Sequence, residues 1–94
     1  MLSSDWEWND EKADENYATH GVSFEQAELV FKDSLAVGWL DDRFDYGEDR
    51  FILIGMAGTD ILLVVYTERE ERIRLISARM ATKQEREDYV QYYF

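Results

Sequence analysis

Basic side chains are concentrated in one short part of an otherwise acidic sequence. The segment from Val64 to Lys83 holds five of the ten basic residues of the chain, and its pattern predicts a β-hairpin followed by the start of a helix. Guanidinium and ammonium groups that lie close together bind phosphate through charge-assisted hydrogen bonds. The segment therefore predicts a local site for the phosphate groups of a nucleic acid.

The net charge of −11 lies entirely in the first half of the chain. Residues 1–49 contain fourteen acidic and three basic residues, whereas residues 50–94 contain seven of each. This charge disfavours non-specific coating of nucleic acid, because the far field of the protein repels a polyanion. A short-range phosphate site remains compatible with it, since salt screens charges beyond a Debye length of about 8 Å.

Length and composition predict one soluble, cytoplasmic domain that spans residues 1–94. The hydrophobic share of 46% is enough for a single core. The absence of cysteine excludes disulfides and thiolate metal sites, and no apolar stretch approaches the roughly 20 residues of a membrane span. The acidic loop at Asp41, Asp42 and Asp45 lacks the ligand pattern of an EF-hand. We therefore expect no metal, no other cofactor and no membrane contact.

Capping residues and apolar periodicity predict two helices in the N-terminal part of the chain. Asn9 is the expected N-cap of the first helix, which ends at His20 and Gly21. The capping-box pattern that starts at Ser23 begins a second helix, which runs to about Lys32.

The remainder of the chain predicts a sheet and a final helix. β-rich runs over residues 35–40, 51–56, 61–67 and 72–79 predict a four-stranded antiparallel sheet, and a capping box at 82–85 begins a C-terminal helix. The predicted fold class is α+β, with two N-terminal helices, the four-stranded sheet and the C-terminal helix. We expect the helices to cover one side of the sheet and to leave the other side free for function.

Strict alternation assigns the side chains of the last strand to two faces. One face is predicted to carry Ile73, Leu75, Ser77 and Arg79, and the other Arg72, Arg74, Ile76 and Ala78.

Sequence motifs of specific order and spacing occur over most of the chain. They are Trp6-x-Trp8-x-x-x-Lys12, Asn16, His20-Gly21-Val22-Ser23-Phe24-Glu25-x-Ala27, Phe31-x-Asp33, Gly47-Glu48-x-Arg50-Phe51, Ile54-Gly55, Val64-Val65-Tyr66-Thr67-Glu68-Arg69 and Ile73-Arg74-x-Ile76-Ser77-Ala78-Arg79-x-Ala81-Thr82-x-x-Glu85-Arg86-x-x-Tyr89. In these motifs the chain resembles the BrnT toxins of type II toxin–antitoxin systems.

The resemblance implies a RelE-like fold and a metal-independent endoribonuclease that inhibits translation by cutting RNA. It also implies a BrnA-like antitoxin with a ribbon-helix-helix portion, which masks the toxin and represses the shared operon. Contact with DNA would then be indirect, through the antitoxin.

Metal-free RNA cleavage uses the 2′-hydroxyl of the substrate as the nucleophile. The protein must supply a base for that proton, cations for the charge on the phosphate, and an acid for the leaving 5′-oxygen. By resemblance and placement, Arg69 and Arg79 are predicted to clamp the scissile phosphate, although Arg69 can instead pair with Glu70 or Glu71 on the surface. Glu68 is the candidate base or only orients Arg69. His20 is predicted either to exchange a proton near neutral pH or to bond the last carbonyls of the first helix.

Further polar side chains are predicted to contact RNA beside the scissile phosphate. They are Lys12, Arg50, Arg74, Ser77 and Lys83. Some have structural alternatives. Arg50 can pair with Glu48 or Asp49, and Ser77 can satisfy only its own hydrogen bonds. Lys12 can be a solvated helix residue, as can Asn16 one turn later.

Two positions favour a different function. Thr19 and Met80 stand where the family commonly carries basic residues. The alternative is a catalytically weak toxin homologue that mainly binds the antitoxin and tunes its repression of DNA, with the acidic first half steering a basic partner. A third interpretation is an interaction domain unrelated to toxins.

Overall fold

Five strands form one mixed sheet in this computed structural model, which describes residues 5–93 and all of their side chains except that of Tyr93. Residues 1–4 and 94 of the predicted domain lie outside the described part. The strands are β1 (Trp6–Glu7), β2 (Val37–Asp41), β3 (Arg50–Ala57), β4 (Asp60–Arg69) and β5 (Arg72–Met80), in the spatial order β1-β5-β4-β3-β2. The helices are α1 (Asp10–His20), α2 (Phe24–Glu28) and α3 (Lys83–Tyr93), with a 3-10 helix at Leu29–Lys32. Within residues 5–93, no helix combines the length and apolarity needed to cross a membrane.

The α+β class is confirmed, and the strand arrangement differs from the prediction in one respect. The strands β2 to β5 form the expected antiparallel meander. The sheet has a fifth strand, because Trp6 and Glu7 of β1 pair in parallel with Ile73 and Arg74 of β5. A strand of two residues is too short to show a period of two, so sequence pattern alone does not reveal it.

The predicted helix caps are present. Asn9 Oδ1 accepts a hydrogen bond from Lys12 N, and Gly21 adopts a left-handed φ of 69° at the end of α1. The Ser23 side chain likewise accepts from Gln26 N. The second helix is shorter than predicted, because the α-helical part ends at Glu28 and the chain tightens into the 3-10 helix up to Lys32.

The first face of the sheet carries the main core, under α1, α2 and the 3-10 helix. This core contains Trp8, Val22, Phe24, Ala27, Val30, Ala57, Leu62, Val64, Leu75 and Ala78. Leu62 and Val64 of β4 both belong to this core, because alternate side chains of a strand point to the same face.

The C-terminal helix lies on the other side of the sheet, which corrects the prediction that all helices cover one side. Tyr89 of α3 packs with Ile52, Ile54 and Leu63, which point away from the main core. Its hydroxyl donates a hydrogen bond to Asp33 Oδ2. This second face is therefore only partly covered, and the part beyond α3 is open.

A β-bulge in β5 corrects the predicted assignment of faces. Leu75 pairs with Tyr66, but Ser77 pairs with the preceding residue Val65, so Ile76 is an extra residue. Beyond the bulge the alternation changes phase. As a result Arg72 and Arg74 share the second face with Ser77 and Arg79, whereas Leu75 and Ala78 belong to the main core.

Asn16 of α1 completes the edge of the sheet where β1 ends. Its Nδ2 donates to Ala78 O at 2.8 Å, and its Oδ1 accepts from Ala78 N at 3.1 Å. A third hydrogen bond joins Nδ2 to Val22 O at 3.0 Å. Asn16 is buried, so it is a structural residue rather than the solvated side chain that helix position alone indicates. Through Ala78 it fixes the backbone beside Arg79.

Candidate functional site

A groove of about 390 Å³ opens on the second face of the sheet, beside the start of α3. We call it the Arg79 groove. It is lined by Trp39, Leu40, Asp41, Asp42, Arg43, Ile52, Leu63, Val65, Ser77, Arg79 and Glu85. Its floor is the apolar surface of β3 and β4, and its walls carry one arginine from the sheet and one from the loop after β2. A larger cleft of about 440 Å³ lies around that loop, but five carboxylates and no basic residue line it, so it disfavours an anion.

Arg79 is held at one wall of the groove by a bidentate pair with Glu85. Its Nη1 lies 2.7 Å from Glu85 Oε1 and its Nη2 lies 3.0 Å from Oε2, while Nη1 also donates to Met80 O. The hydrogen bonds from Arg79 lower the pKa of Glu85 to about 2, and the same pairing raises the pKa of Arg79. Both groups are therefore charged over the whole physiological range.

The capping box at the start of α3 explains why Glu85 occupies this position. Thr82 Oγ1 accepts from Glu85 N at 3.2 Å, and Thr82 N donates to Glu85 Oε1 at 2.8 Å. In this motif the third residue of the helix reaches back to the cap. The carboxylate is thereby fixed between the N-terminus of α3 and Arg79, and the helix and β5 are joined through it.

Arg43 is held in the same manner at the opposite wall. Its Nε and Nη2 donate to the two carboxylate oxygens of Asp41, at 2.8 and 3.0 Å, and Tyr46 Oη donates to Asp41 Oδ2 at 3.0 Å. The side chain of Asp41 is only 2% exposed, whereas that of Arg43 is 66% exposed. The hydrogen bonds from Arg43 hold the pKa of Asp41 well below its usual range.

Each of these two arginines keeps one edge of its guanidinium free. Arg79 uses the edge formed by Nη1 and Nη2 for Glu85, so Nε and the outer proton of Nη2 make no hydrogen bond to any described residue. Arg43 uses the edge formed by Nε and Nη2 for Asp41, so Nη1 is free within residues 5–93. Two oriented donor pairs that line one groove suit the bidentate binding of phosphate oxygens.

The groove is better equipped for charge stabilisation than for proton transfer. Glu85 and Asp41 are strongly ionised through their arginines and are therefore weak bases. Ser77 and the exposed Asp42 are the remaining polar side chains that line it. Donors that are fixed before the substrate arrives stabilise developing negative charge without the cost of reorganisation.

Arg69 and Arg79, which we expected to grip one phosphate, line separate clefts. Arg79 pairs with Leu63 across the ladder and Arg69 pairs with Arg72, so six residues of β4, about 20 Å, separate them along the strand. Both point to the second face. Arg69 lies in another cleft at the hairpin turn, which both acidic and basic residues line. The candidate base Glu68 pairs with Ile73 and, by alternation, points to the opposite face from Arg69.

Three further predicted residues lie on the second face. Ser77 lines the Arg79 groove. Arg74 lies 3.7 Å from Glu7. Arg50 pairs with Glu48, as its structural alternative predicted, and its Nε lies 3.4 Å from Glu48 Oε2. The guanidinium of Arg50 also lies 4.2 Å from the centre of the Tyr46 ring. The cations of the second face therefore extend from the groove towards the hairpin turn.

The other predicted residues lie on helices. His20 is exposed in the last turn of α1, and Lys12 in its first turn lies 3.7 Å from Glu15. Lys83 at the start of α3 is exposed and lies 3.9 Å from Glu87. No hydrogen bond or ion pair within residues 5–93 joins any of these three to Arg79.

Sequence reasoning missed Arg43, because the loop that contains it was interpreted only as acidic. The signal that could have found it is the Asp41-x-Arg43 spacing at the end of β2, where a carboxylate can reach a guanidinium two residues later.

One family model matches the chain. It describes BrnT, the ribonuclease toxin of type II toxin–antitoxin systems, and it matches residues 8–85. That range includes the whole Arg79 groove. No curated protein matches the chain at a significant level.

Proposed function

This chain belongs to the BrnT family of ribonuclease toxins of type II toxin–antitoxin systems, and on that premise we propose that it is a metal-independent endoribonuclease that uses the Arg79 groove. The observation that carries the proposal is the pair of oriented guanidinium groups, Arg79 and Arg43, each fixed by a carboxylate and each with a free edge. The toxin acts on RNA, inhibits translation and is neutralised by a BrnA-like antitoxin. It contacts DNA only indirectly, through that antitoxin.

In the proposed reaction Arg79 binds the non-bridging oxygens of the scissile phosphodiester, and Arg43 binds the RNA from the other wall of the groove. The 2′-oxygen of the RNA attacks phosphorus and the bond from phosphorus to the 5′-oxygen breaks, which gives a 2′,3′-cyclic phosphate and a 5′-hydroxyl. Water at the open groove takes the 2′ proton and returns a proton to the 5′-oxygen. Arg79 stabilises the extra negative charge of the transition state, the type of contribution that commonly dominates catalysis.

The substrate of the proposed reaction is single-stranded RNA. Trp39 lies at the rim of the groove with 46% of its surface exposed, so its ring is available for stacking against an unpaired base. Arg69, Arg74 and Arg50 share the second face and are proposed to bind phosphates that flank the cleaved one. Roles for Glu68, His20, Lys12 and Lys83 stay predictions from the sequence.

Digestion of RNA in EDTA, followed by analysis of the new ends, tests the proposal. We expect cyclic phosphate ends, with cleavage lowered about 100- to 1,000-fold by Arg79→Ala, the loss typical when one transition-state donor is removed. Arg43→Ala should lower cleavage at the same bonds. Lys32→Ala, a change of an exposed cation on the other side of the sheet, is the matched control. A strict requirement for Mg²⁺, or full activity of both arginine variants, would refute the proposal.

A second candidate function is favoured by the pairing of Arg79 with Glu85. A carboxylate already occupies one edge of the guanidinium, and Met80 stands next to it where a further cation would strengthen phosphate binding. In this alternative the chain is a catalytically weak homologue that mainly binds the antitoxin. Expression without antitoxin distinguishes the two functions: growth arrest with RNA fragmentation supports the enzyme, and harmless expression with intact antitoxin binding supports the binding module.

A further inference from the structure

The outer edge of β2 is an open edge of the sheet. Within residues 5–93, β2 pairs with β3 on one side and with no strand on the other. Alternate residues of such an edge direct unpaired backbone N–H and C=O groups outward, which makes it a template for another extended chain. Large apolar side chains stand on it, since Trp39 is 46% and Leu40 48% exposed.

An apolar cleft lies beside this edge, between β2 and α3. Its volume is about 340 Å³, and it is lined by Val37, Trp39, Ile54, Glu85, Asp88, Tyr89 and Tyr92. The apolar part of its lining comes from the strands and from the aromatic rings of α3. A strand added next to β2 would direct every second side chain towards this cleft. The cleft is therefore suited to apolar side chains at alternate positions.

The surroundings of the edge are strongly acidic. The loop that follows β2 carries Asp42, Asp45, Glu48 and Asp49, all exposed, and Asp88 lies at the cleft. Arg43 is the one basic side chain of that loop, and it is already paired with Asp41. A segment that binds here gains from positive charge.

We propose that the β2 edge binds an extended segment of the antitoxin in which apolar residues alternate with lysine or arginine. The proposal rests on the proposed function in one respect, namely that the chain works with a protein antitoxin. Backbone hydrogen bonds to β2 provide the pairing, the apolar side chains enter the cleft beside α3, and the basic side chains face the acidic loop. A second copy of this chain is disfavoured as the occupant, because it would bring two acidic loops together at one edge.

Hydrogen exchange of the backbone amides in the purified complex tests this binding mode. We expect amides of residues 37–41 to exchange at least 10-fold more slowly in the complex with the antitoxin than in the free toxin. Equal exchange rates in the two states would overturn the proposal. So would protection in the free toxin that increases with its own concentration, since that result would identify a second copy as the occupant.

The variant Trp39→Glu adds a like charge to the edge and removes an exposed apolar side chain that lines the cleft. We expect it to weaken antitoxin binding about 30-fold, as loss of a central interface contact does. Val90→Glu places the same new charge on an exposed apolar residue elsewhere on α3 and should leave binding within about 2-fold of wild type. Equal effects of the two variants would overturn the proposal.

These measurements do not depend on ribonuclease activity. A chain that binds the antitoxin at β2 but cleaves no RNA would refute the proposed enzyme and support the docking site. A chain that cleaves RNA but binds the antitoxin without protection of β2 would support the proposed enzyme and refute the docking site.

Discussion

Replacing Glu85 with glutamine tests whether charge fixes Arg79 in the groove. The pKa of Glu85 falls from an ordinary 4.5 to about 2 because Arg79 donates two hydrogen bonds to it. A drop of about 2.5 pH units corresponds to about 3.4 kcal/mol of preference for the ionised form. Arg79 is 37% exposed, so solvent screening reduces the net effect to about 1–2 kcal/mol.

The pH dependence follows from the direction of this pKa shift. A carboxyl group whose pKa is lowered by folding stabilises the folded state above its unfolded pKa, and this stabilisation is lost as the pH falls towards the folded pKa. The wild type should therefore exceed Glu85→Gln by about 1–2 kcal/mol in free energy of unfolding at pH 7. The difference should shrink below pH 4.5 and approach zero near pH 2.

Urea unfolding followed by tryptophan fluorescence between pH 7 and pH 3 measures this difference. Glu87→Gln is the matched control, because Glu87 lies on the same helix in an exposed pair with Lys83 at 3.9 Å. We expect the control to change the free energy of unfolding by less than about 0.5 kcal/mol. If the difference between wild type and Glu85→Gln is the same at pH 3 as at pH 7, then lost packing rather than lost charge explains it, and the reasoning fails.

Three further outcomes follow from local geometry. Asn16→Ala should lower the free energy of unfolding by about 2–4 kcal/mol in urea titrations, because it leaves both backbone groups of Ala78 without partners; a loss below about 1 kcal/mol would contradict this. Glu71→Gly should raise the melting temperature and add about 0.5–1 kcal/mol to the free energy of unfolding, because Glu71 has a φ of 66° in the hairpin turn and glycine adopts such a φ without strain. An unchanged or lower melting temperature would count against strain at Glu71. Asp41→Asn should lower RNA cleavage about 10-fold through a higher KM, because Arg43 loses the carboxylate that orients it, and an unchanged KM would exclude that role.

Local features of the fold were predictable from sequence because local interactions determine them. Asn9 and Ser23 cap their helices through hydrogen bonds that span three residues, and Gly21 adopts the left-handed conformation that glycine permits. The β-rich runs became strands β2 to β5, with ends that differ from the prediction by at most two residues. These signals lie within short windows of the chain, so no tertiary information was needed to interpret them.

Features that depend on contacts distant in sequence were not predictable. The bulge at Ile76 arises from the pairing of β5 with β4 and changes which arginines share a face, although no glycine marks it. The position of α3 on the second face depends on where Tyr89 packs, since amphipathic pattern does not say which side of a sheet a helix covers.

The candidate site shows the same division. Arg79 and Ser77 were identified from their motif and lie in one groove. Arg43 was missed because its partner Asp41 made the loop look uniformly acidic. The expected meeting of Arg69 with Arg79 fails because alternation fixes only the face of a side chain, and the distance along the strand separates the two.

The contact between Asn16 and Ala78 also bears on how copies of this protein can associate. An amyloid-like fibril grows by continuous strand pairing at both borders of a sheet. In the part of the chain that the structure describes, one border consists of the two residues of β1, and an amide side chain satisfies the β5 backbone at Ala78. Strand addition is thus blocked at Ala78 on that side, whereas the border at β2 stays open to it.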